Sequence, residues 1–246
     1  MKYIKRVAVF CSLSLIATLF VFTALPIAVL YGTKFRGGAA RALNALAAWW
    51  ARLIIIMSKA TVHAAGLENI PGSGPVCFVS NHSGIFDIVL FLAKVGRPFG
   101  FIAKKELAFI PFLNIWIVLL GGLFIERNRP RKALQTIREG ARRIAKGGSM
   151  IIFPEGTRSK GRGLLPFKPG AFKMALESGA LIVPVAITGS YDVFEKTGFI
   201  EPADVYISFG RPIEQTAISA EHKRQALSDA AYKAVAEMLA VQKQTE

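Results

Sequence analysis

The first residues in this 246-residue chain with the makings of chemistry are His82 and Asp87. They stand in the run Pro75-Val76-Cys77-Phe78-Val79-Ser80-Asn81-His82-Ser83-Gly84-Ile85-Phe86-Asp87. An imidazole titrates near neutrality, so a neutral His serves as a general base at physiological pH. A carboxylate on its second ring nitrogen fixes the tautomer and stabilises the imidazolium as it forms. A protein nucleophile is missing, because Ser83, though adjacent to His82, is expected to point elsewhere. The pair therefore suggests activation of a hydroxyl carried by the substrate. The plain alternative is an Asn81 helix cap with His82 and Asp87 satisfied locally.

Positioning falls to the flanking elements. Val76 to Val79 is apolar and rich in β-formers, which predicts a short buried strand. Ser80-Asn81 ends it, since these side chains compete for backbone donors and favour turns. Ile85 to Leu92 reads as a helix packed on the sheet. His82 then lies at the carboxyl end of a strand, where open α/β sheets hold their ligands. Asp87, about one and a half helical turns on, is able to fold back towards it.

A second run, Met150-Ile151-Ile152-Phe153-Pro154-Glu155-Gly156-Thr157-Arg158-Ser159, predicts a strand followed by a glycine turn. Glycine lets backbone donors approach a ligand closely. Glu155 is able to accept from a hydroxyl and Arg158 to neutralise a phosphate; a purely structural Pro-Gly turn is the alternative. Elsewhere, Leu123 to Ile125 leads as a strand into Glu126-Arg127, and a guanidinium at a strand end clamps phosphate through paired, charge-assisted hydrogen bonds.

Asn81-His82-x4-Asp87 and Phe153-Pro154-Glu155-Gly156-Thr157-Arg158 together resemble the glycerolipid acyltransferase family, most closely its 1-acylglycerol-3-phosphate (lysophosphatidate) acyltransferases. Gly122-Leu123-Phe124-Ile125-Glu126-Arg127 resembles that family's strand ending in an Arg. Leu181-Ile182-Val183-Pro184-Val185-Ala186-Ile187 resembles its apolar strand with a central Pro. The resemblance covers about residues 60 to 215. It implies acyl transfer from a thioester of coenzyme A or acyl carrier protein to the sn-2 hydroxyl of 1-acylglycerol 3-phosphate, giving phosphatidic acid. It implies a catalytic His82 supported by Asp87, and acceptor binding by Glu155, Gly156, Thr157 and Arg158. Arg127 would recognise the acceptor's phosphate, with Lys104 a further contact. No bound cofactor and no metal are expected. One departure stands out: many members carry Ser two residues after the motif His, whereas this chain has Gly84 there and its Ser at position 83. Glycerol 3-phosphate or a lyso-aminolipid therefore stays open as the acceptor. A hydrolase releasing free fatty acid, or a non-catalytic scaffold that binds anionic lipid, are readings from other classes.

Composition points to a membrane. Hydrophobic residues make up 52% of the chain and its mean hydropathy is +0.41, both above the soluble norm. The net charge is +15. It is concentrated between Lys104 and Lys173, where fifteen basic residues face four acidic ones, a local excess of +11. Such a field attracts polyanions. Nucleic acid is disfavoured because no basic motif has interleaved aromatics, whereas lysines and arginines beside an anionic bilayer gain about 1 kcal/mol each. The two cysteines give no disulfide framework, and three histidines suggest no metal spacing.

Val7 to Tyr31 runs 25 residues without a charge behind Lys2, Lys5 and Arg6, long enough for a bilayer span; a cleaved signal peptide is its alternative. Lys34, Arg36 and Arg41 on the other side leave orientation unresolved by flanking charge. Ala42 to Ser58 has helical apolar spacing, with Trp49-Trp50 suited to an interface and Arg52 arguing against a deep span. Packing on the catalytic domain is the alternative for this segment. The fold expected is α/β, a mixed sheet surrounded by helices, preceded by a membrane-associated helical hairpin. Residues 1–58 would form that membrane-binding unit and 59–246 the catalytic domain. A bacterial-type inner (cytoplasmic) membrane is the expected location, with the catalytic domain facing the cytoplasm, where acyl donors are made. Leu107 to Leu120 is apolar enough to be core, or a surface patch dipping into the bilayer. The helix expected from Pro130 to Lys146 has a basic outer face.

Overall fold

The computed structural model describes residues 36–111, 113–215 and 222–245; the apolar run Val7–Tyr31 lies outside them. Seven strands form one sheet: β1 Thr61–Ala65, β2 Val76–Ser80, β3 Gly100–Lys104, β4 Leu123–Ile125, β5 Ser149–Ile152, β6 Leu181–Thr188 and β7 Asp204–Phe209. Their order across the sheet is β1-β7-β6-β2-β5-β3-β4. Only the β6–β7 pair is antiparallel; every other neighbouring pair is parallel. The helices are α1 Arg36–Ser58, α2 Phe86–Lys94, α3 Leu113–Leu119, α4 Pro130–Ala145, α5 Lys173–Ser178 and α6 Lys223–Thr245. The mixed, helix-wrapped sheet matches the sequence expectation; the strand boundaries shift by at most one residue, whereas α1 begins six residues before the expected Ala42.

Burial follows the period-2 alternation of a strand covered on both faces. All five residues of β2 are buried. Val76 and Phe78 face a core shared with Leu43, Ala47 and Ala51 of α1 and with Leu90 and Phe91 of α2. Cys77 and Val79 face the other way, into a second core with Ile144 of α4, Met174 of α5 and Leu227, Ala231 and Val235 of α6. In β6, Val183, Val185 and Ile187 join the first core while Ile182 and Ala186 join the second. The Ala42–Ser58 segment thus packs on the sheet and α2 along one side. It leaves Trp49, Ile56 and Met57 exposed on another.

Pro184 sits within β6, a central strand, where a missing N–H ordinarily breaks a ladder. Here the β6–β7 ladder covers Val185 to Thr188, and a separate bridge joins Ile182 to Ile213. Between them the Pro184 carbonyl accepts from Gly210 N–H at 2.8 Å. The absent donor falls at this residue pair, which keeps one backbone bond where an antiparallel hydrogen-bonded pair ordinarily has two.

Strands β4, β3, β5, β2 and β6 all run the same way, so their carboxyl ends share one edge. Along that edge lie Arg127 after β4, Lys104 ending β3, the Pro154–Arg158 turn after β5, and His82 after β2. Open sheets of this kind gather ligand-binding groups there.

Candidate active site

The β2 strand is continued by a side chain. Asn81 is buried; its Oδ1 accepts from Ile187 N–H and its Nδ2 donates to Ile187 C=O, each at 2.8 Å. The amide thereby takes the place of one more backbone unit against β6. It frees the Asn81 backbone to turn out of the sheet. Its Nδ2 also lies 3.3 Å from Ser83 Oγ, and that hydroxyl reaches Ile187 C=O at 3.4 Å. Ser83 therefore points away from the imidazole, as expected.

The turn delivers His82 to Asp87. The imidazole Nδ1 is 2.6 Å from Asp87 Oδ2. Since a carboxylate only accepts, Nδ1 carries the proton and the Nε2 lone pair is left for chemistry. Asp87 is fully buried in the first turn of α2, where a helix N-terminus favours negative charge. Its Oδ2 also accepts from Ser83 N–H at 2.9 Å and Gly84 N–H at 3.2 Å, and its Oδ1 from the Ser190 hydroxyl. Four donors from two separate segments hold one carboxylate. The ring of His82 stacks on Phe153 with centroids 4.0 Å apart, and Phe153 packs edge-on against Phe91 of the core. Packing and hydrogen bonding therefore fix the same imidazole.

The turn after β5 wraps the His82 loop. Ser159 N–H donates to His82 C=O at 2.7 Å, and Lys160 N–H to Ser83 C=O at 3.2 Å. Glu155 is buried, and its Oε1 accepts from His82 N–H at 3.2 Å, so its carboxyl braces the His82 turn from inside. Burial pushes the Glu155 pKa up to about 7, against the opposing pull of the His82 and Leu165 amides. Gly156 has φ +73°, a conformation that favours glycine, and the flexible Lys168 side chain lies over its α-carbon. Arg127 donates from Nη1 to the Gly156 carbonyl. Thr157 is exposed. Lys104 is exposed and paired with Glu106 at 3.2 Å.

Arg158 is engaged elsewhere. Its Nη1 lies 2.6 Å from Glu195 Oε1, and Glu195 Oε2 accepts from Ile85 N–H at 2.5 Å. This contact explains the departure at position 84. A Cβ on Gly84 would meet Glu195 Oε2 at 2.8 Å and Tyr191 Cα at 3.1 Å, so the space that a serine side chain needs is filled by the Glu195 carboxylate and backbone.

The structure brings His82, Asp87, Glu155, Gly156, Arg127 and Arg158 to one edge. Sequence reasoning did not find Ser190, Glu195 or Phe153 as neighbours of the pair. Ser190 is 103 positions from Asp87, and no local pattern announces such a contact. The nearest signal was the position of Ser190 just past the strand with the central Pro.

Other features carry less. A cavity of about 630 Å³ borders Asn81 and Ser83 and is lined by Leu164, Tyr232 and Leu239, but not by His82, Glu155 or Arg158. A second His–Asp pair, His63 with Asp204 at 3.0 Å, is exposed across β1 and β7. Cys77 is buried with its thiol pushed up to about 12 by desolvation, which removes it as a nucleophile. Among the described residues no group of three or more metal-binding side chains is gathered.

Comparison with known proteins gives the same picture. The acyltransferase family model matches residues 61–188. The chain is 35% identical over 156 residues to a 1-acyl-sn-glycerol-3-phosphate acyltransferase of Borreliella burgdorferi, covering 63% of this chain and 60% of that protein. It is 42% identical over 116 residues to the enzyme of that name from Escherichia coli, covering 47% of each. The chain thus spans less than two thirds of these curated relatives. A crystal structure of the 1-acyl-sn-glycerophosphate (LPA) acyltransferase PlsC from Thermotoga maritima superposes with a TM-score of 0.80 at 27% identity, covering 98% of both chains.

Proposed function

The chain belongs to the acyltransferase family, and from that premise we propose that it transfers a fatty acyl group from a thioester to the sn-2 hydroxyl of 1-acylglycerol 3-phosphate. The product would be phosphatidic acid, made for phospholipid synthesis. The observation that carries this reading is the His82–Asp87 pair. It has a short Nδ1–Oδ2 contact, a carboxylate held by four donors, and an Nε2 left without a hydrogen bond among the described residues.

In the mechanism proposed, Nε2 of His82 takes the proton of the acceptor hydroxyl as its oxygen attacks the thioester carbonyl. Asp87 stabilises the imidazolium that forms. The tetrahedral intermediate collapses with loss of the thiolate, and His82 returns the proton to the leaving sulfur. An ester C–O bond is made, a C–S bond is broken, and the proton moves from oxygen to sulfur through one ring. Coenzyme A or acyl carrier protein supplies the thioester, and both are acidic enough to suit the basic surface. The acceptor would be drawn from a bilayer, that of a bacterial-type cytoplasmic membrane with this domain on its cytoplasmic side. The segment Ala40–Ser58 is long and apolar enough to cross a bilayer by length and composition, and only 22% of that stretch is buried.

The test is acyl transfer in detergent micelles with lysophosphatidate, glycerol 3-phosphate or a lyso-aminolipid, each with either thioester. Wild type should form phosphatidate. His82→Ala should lose on the order of 10²–10⁴-fold in rate, the usual contribution of a general base. Product from another acceptor alone keeps the mechanism and replaces the substrate. Absence of any lipid product from folded protein ends the enzyme reading.

A further inference from the structure

Four consecutive backbone donors of the His82 loop end on carboxylates. His82 N–H goes to Glu155 Oε1 at 3.2 Å. Ser83 N–H and Gly84 N–H go to Asp87 Oδ2 at 2.9 and 3.2 Å. Ile85 N–H goes to Glu195 Oε2 at 2.5 Å. Asp87 and Glu155 belong to the runs singled out in the sequence, whereas Glu195 stands 110 positions from Ile85, in the turn after β6. Its own N–H donates to Tyr191 C=O at 3.1 Å, and its other oxygen, Oε1, lies 2.6 Å from Arg158 Nη1. The Glu195 side chain is 14% exposed, so its place rests on these directed contacts more than on burial. The same loop supplies Ser190, whose hydroxyl donates to Asp87 Oδ1.

The start of α2 needs such a partner. A helix leaves its first amides without an internal acceptor and favours negative charge beside them. Ile85 holds the cap position and makes no side-chain capping bond. A carboxylate from the β6 loop meets both demands. Gly84 admits it, since a Cβ there would lie 2.8 Å from Glu195 Oε2. We infer that Glu195 is a positioning residue for His82 and Asp87, acting through the Ile85 amide, and that Gly84 is the residue that makes room for it. This rests on the function proposed above. It reads the departure at position 84 as a change in how the loop is held, not in which acceptor is chosen. Arg158 enters only as the group that holds the second oxygen of Glu195. A base displaced by about 1 Å from its working position loses on the order of 10²-fold in rate, so a brace on this loop bears directly on turnover.

The experiment pairs acyl-transfer kinetics in detergent micelles with proton exchange at His82 Nδ1, followed by NMR of the protein carrying ¹⁵N-labelled histidine. Glu195→Ala should lower kcat about 10-fold, with KM for lysophosphatidate and for the thioester within about 3-fold. It should also speed exchange of the Nδ1 proton several-fold, because the contact to Asp87 loosens. Gly84→Ala, whose methyl displaces the carboxylate, should act in the same direction, and it carries the test if Glu195→Ala does not fold. In the double variant the two losses should overlap, so that Gly84→Ala costs less than about 3-fold once Glu195 is gone. Asp192→Asn breaks only the exposed Lys196 pair on the same loop and should change neither readout. The inference is overturned if Glu195→Ala keeps the wild-type kcat, if it loses rate with the His82 proton unmoved, or if the two losses simply multiply. A faster-exchanging His82 proton in a protein whose wild type makes no lipid product would leave the brace standing and count against the proposed reaction instead.

Discussion

With its pKa pushed up to about 7, Glu155 is neutral at pH 5 and ionised at pH 8 inside the folded protein. In the unfolded chain it ionises near its ordinary value of 4.5. Between those two values the native state binds more protons than the unfolded one, so stability falls as pH rises through that window. The loss amounts to up to about 3 kcal/mol at roughly 1.4 kcal/mol per pH unit. Glu155→Gln keeps an oxygen for the His82 amide and removes the charge. Urea unfolding at pH 5 and pH 8 should show the variant gaining on wild type by about that amount at the higher pH; an equal difference at both would refute it. At this scale the sequence was most readable where partners are close along the chain. His82 and Asp87 are five positions apart on one turn and one helix. Arg158 read as an open cation because Glu195, its partner 37 positions away, lies on another strand's loop.

Strands and helices were readable nearly throughout, since two-residue and helical periodicity are local properties. The order of the strands was not: β2 lies between β5 and β6, and β1 pairs with β7, joins that no pattern within a segment encodes. Asn81 belongs to this scale, because its amide closes the β2–β6 edge where the backbone leaves off. Asn81→Ala would strip both partners from Ile187 in a buried setting. We expect a loss of roughly 2–4 kcal/mol, at 1–3 kcal/mol for each buried group left unpaired. Asn81→Asp should recover less than half of this, because it still accepts from Ile187 N–H but no longer donates to the carbonyl. Midpoints of chemical denaturation check the stability. A variant as stable as wild type would show that water replaces the amide at no cost.

Across the whole molecule, the Leu107–Leu120 segment divides between core and surface. Trp116 and Ile117 enter the same core as α1, while Phe109, Ile110, Leu113, Ile115 and Val118 are exposed, Phe109 at 75%. Near them Lys105, Arg129 and Lys132 surround the single carboxylate of Glu126, which leaves a positive rim. Apolar side chains ringed by cations suit an anionic bilayer surface. Replacing Phe109 and Val118 with Ser should lower cosedimentation with anionic vesicles several-fold while turnover of micellar substrate changes little. Unaltered vesicle binding would remove this patch from the docking face. Ile85, exposed beside the His82 turn, puts an apolar residue at the mouth of the site as well. An enzyme that meets its acceptor in this way counts molecules per unit of interface, not per unit of volume. Its saturation would follow the mole fraction of acceptor among neighbouring lipids, and diluting the leaflet with inert phospholipid would slow it at constant bulk concentration.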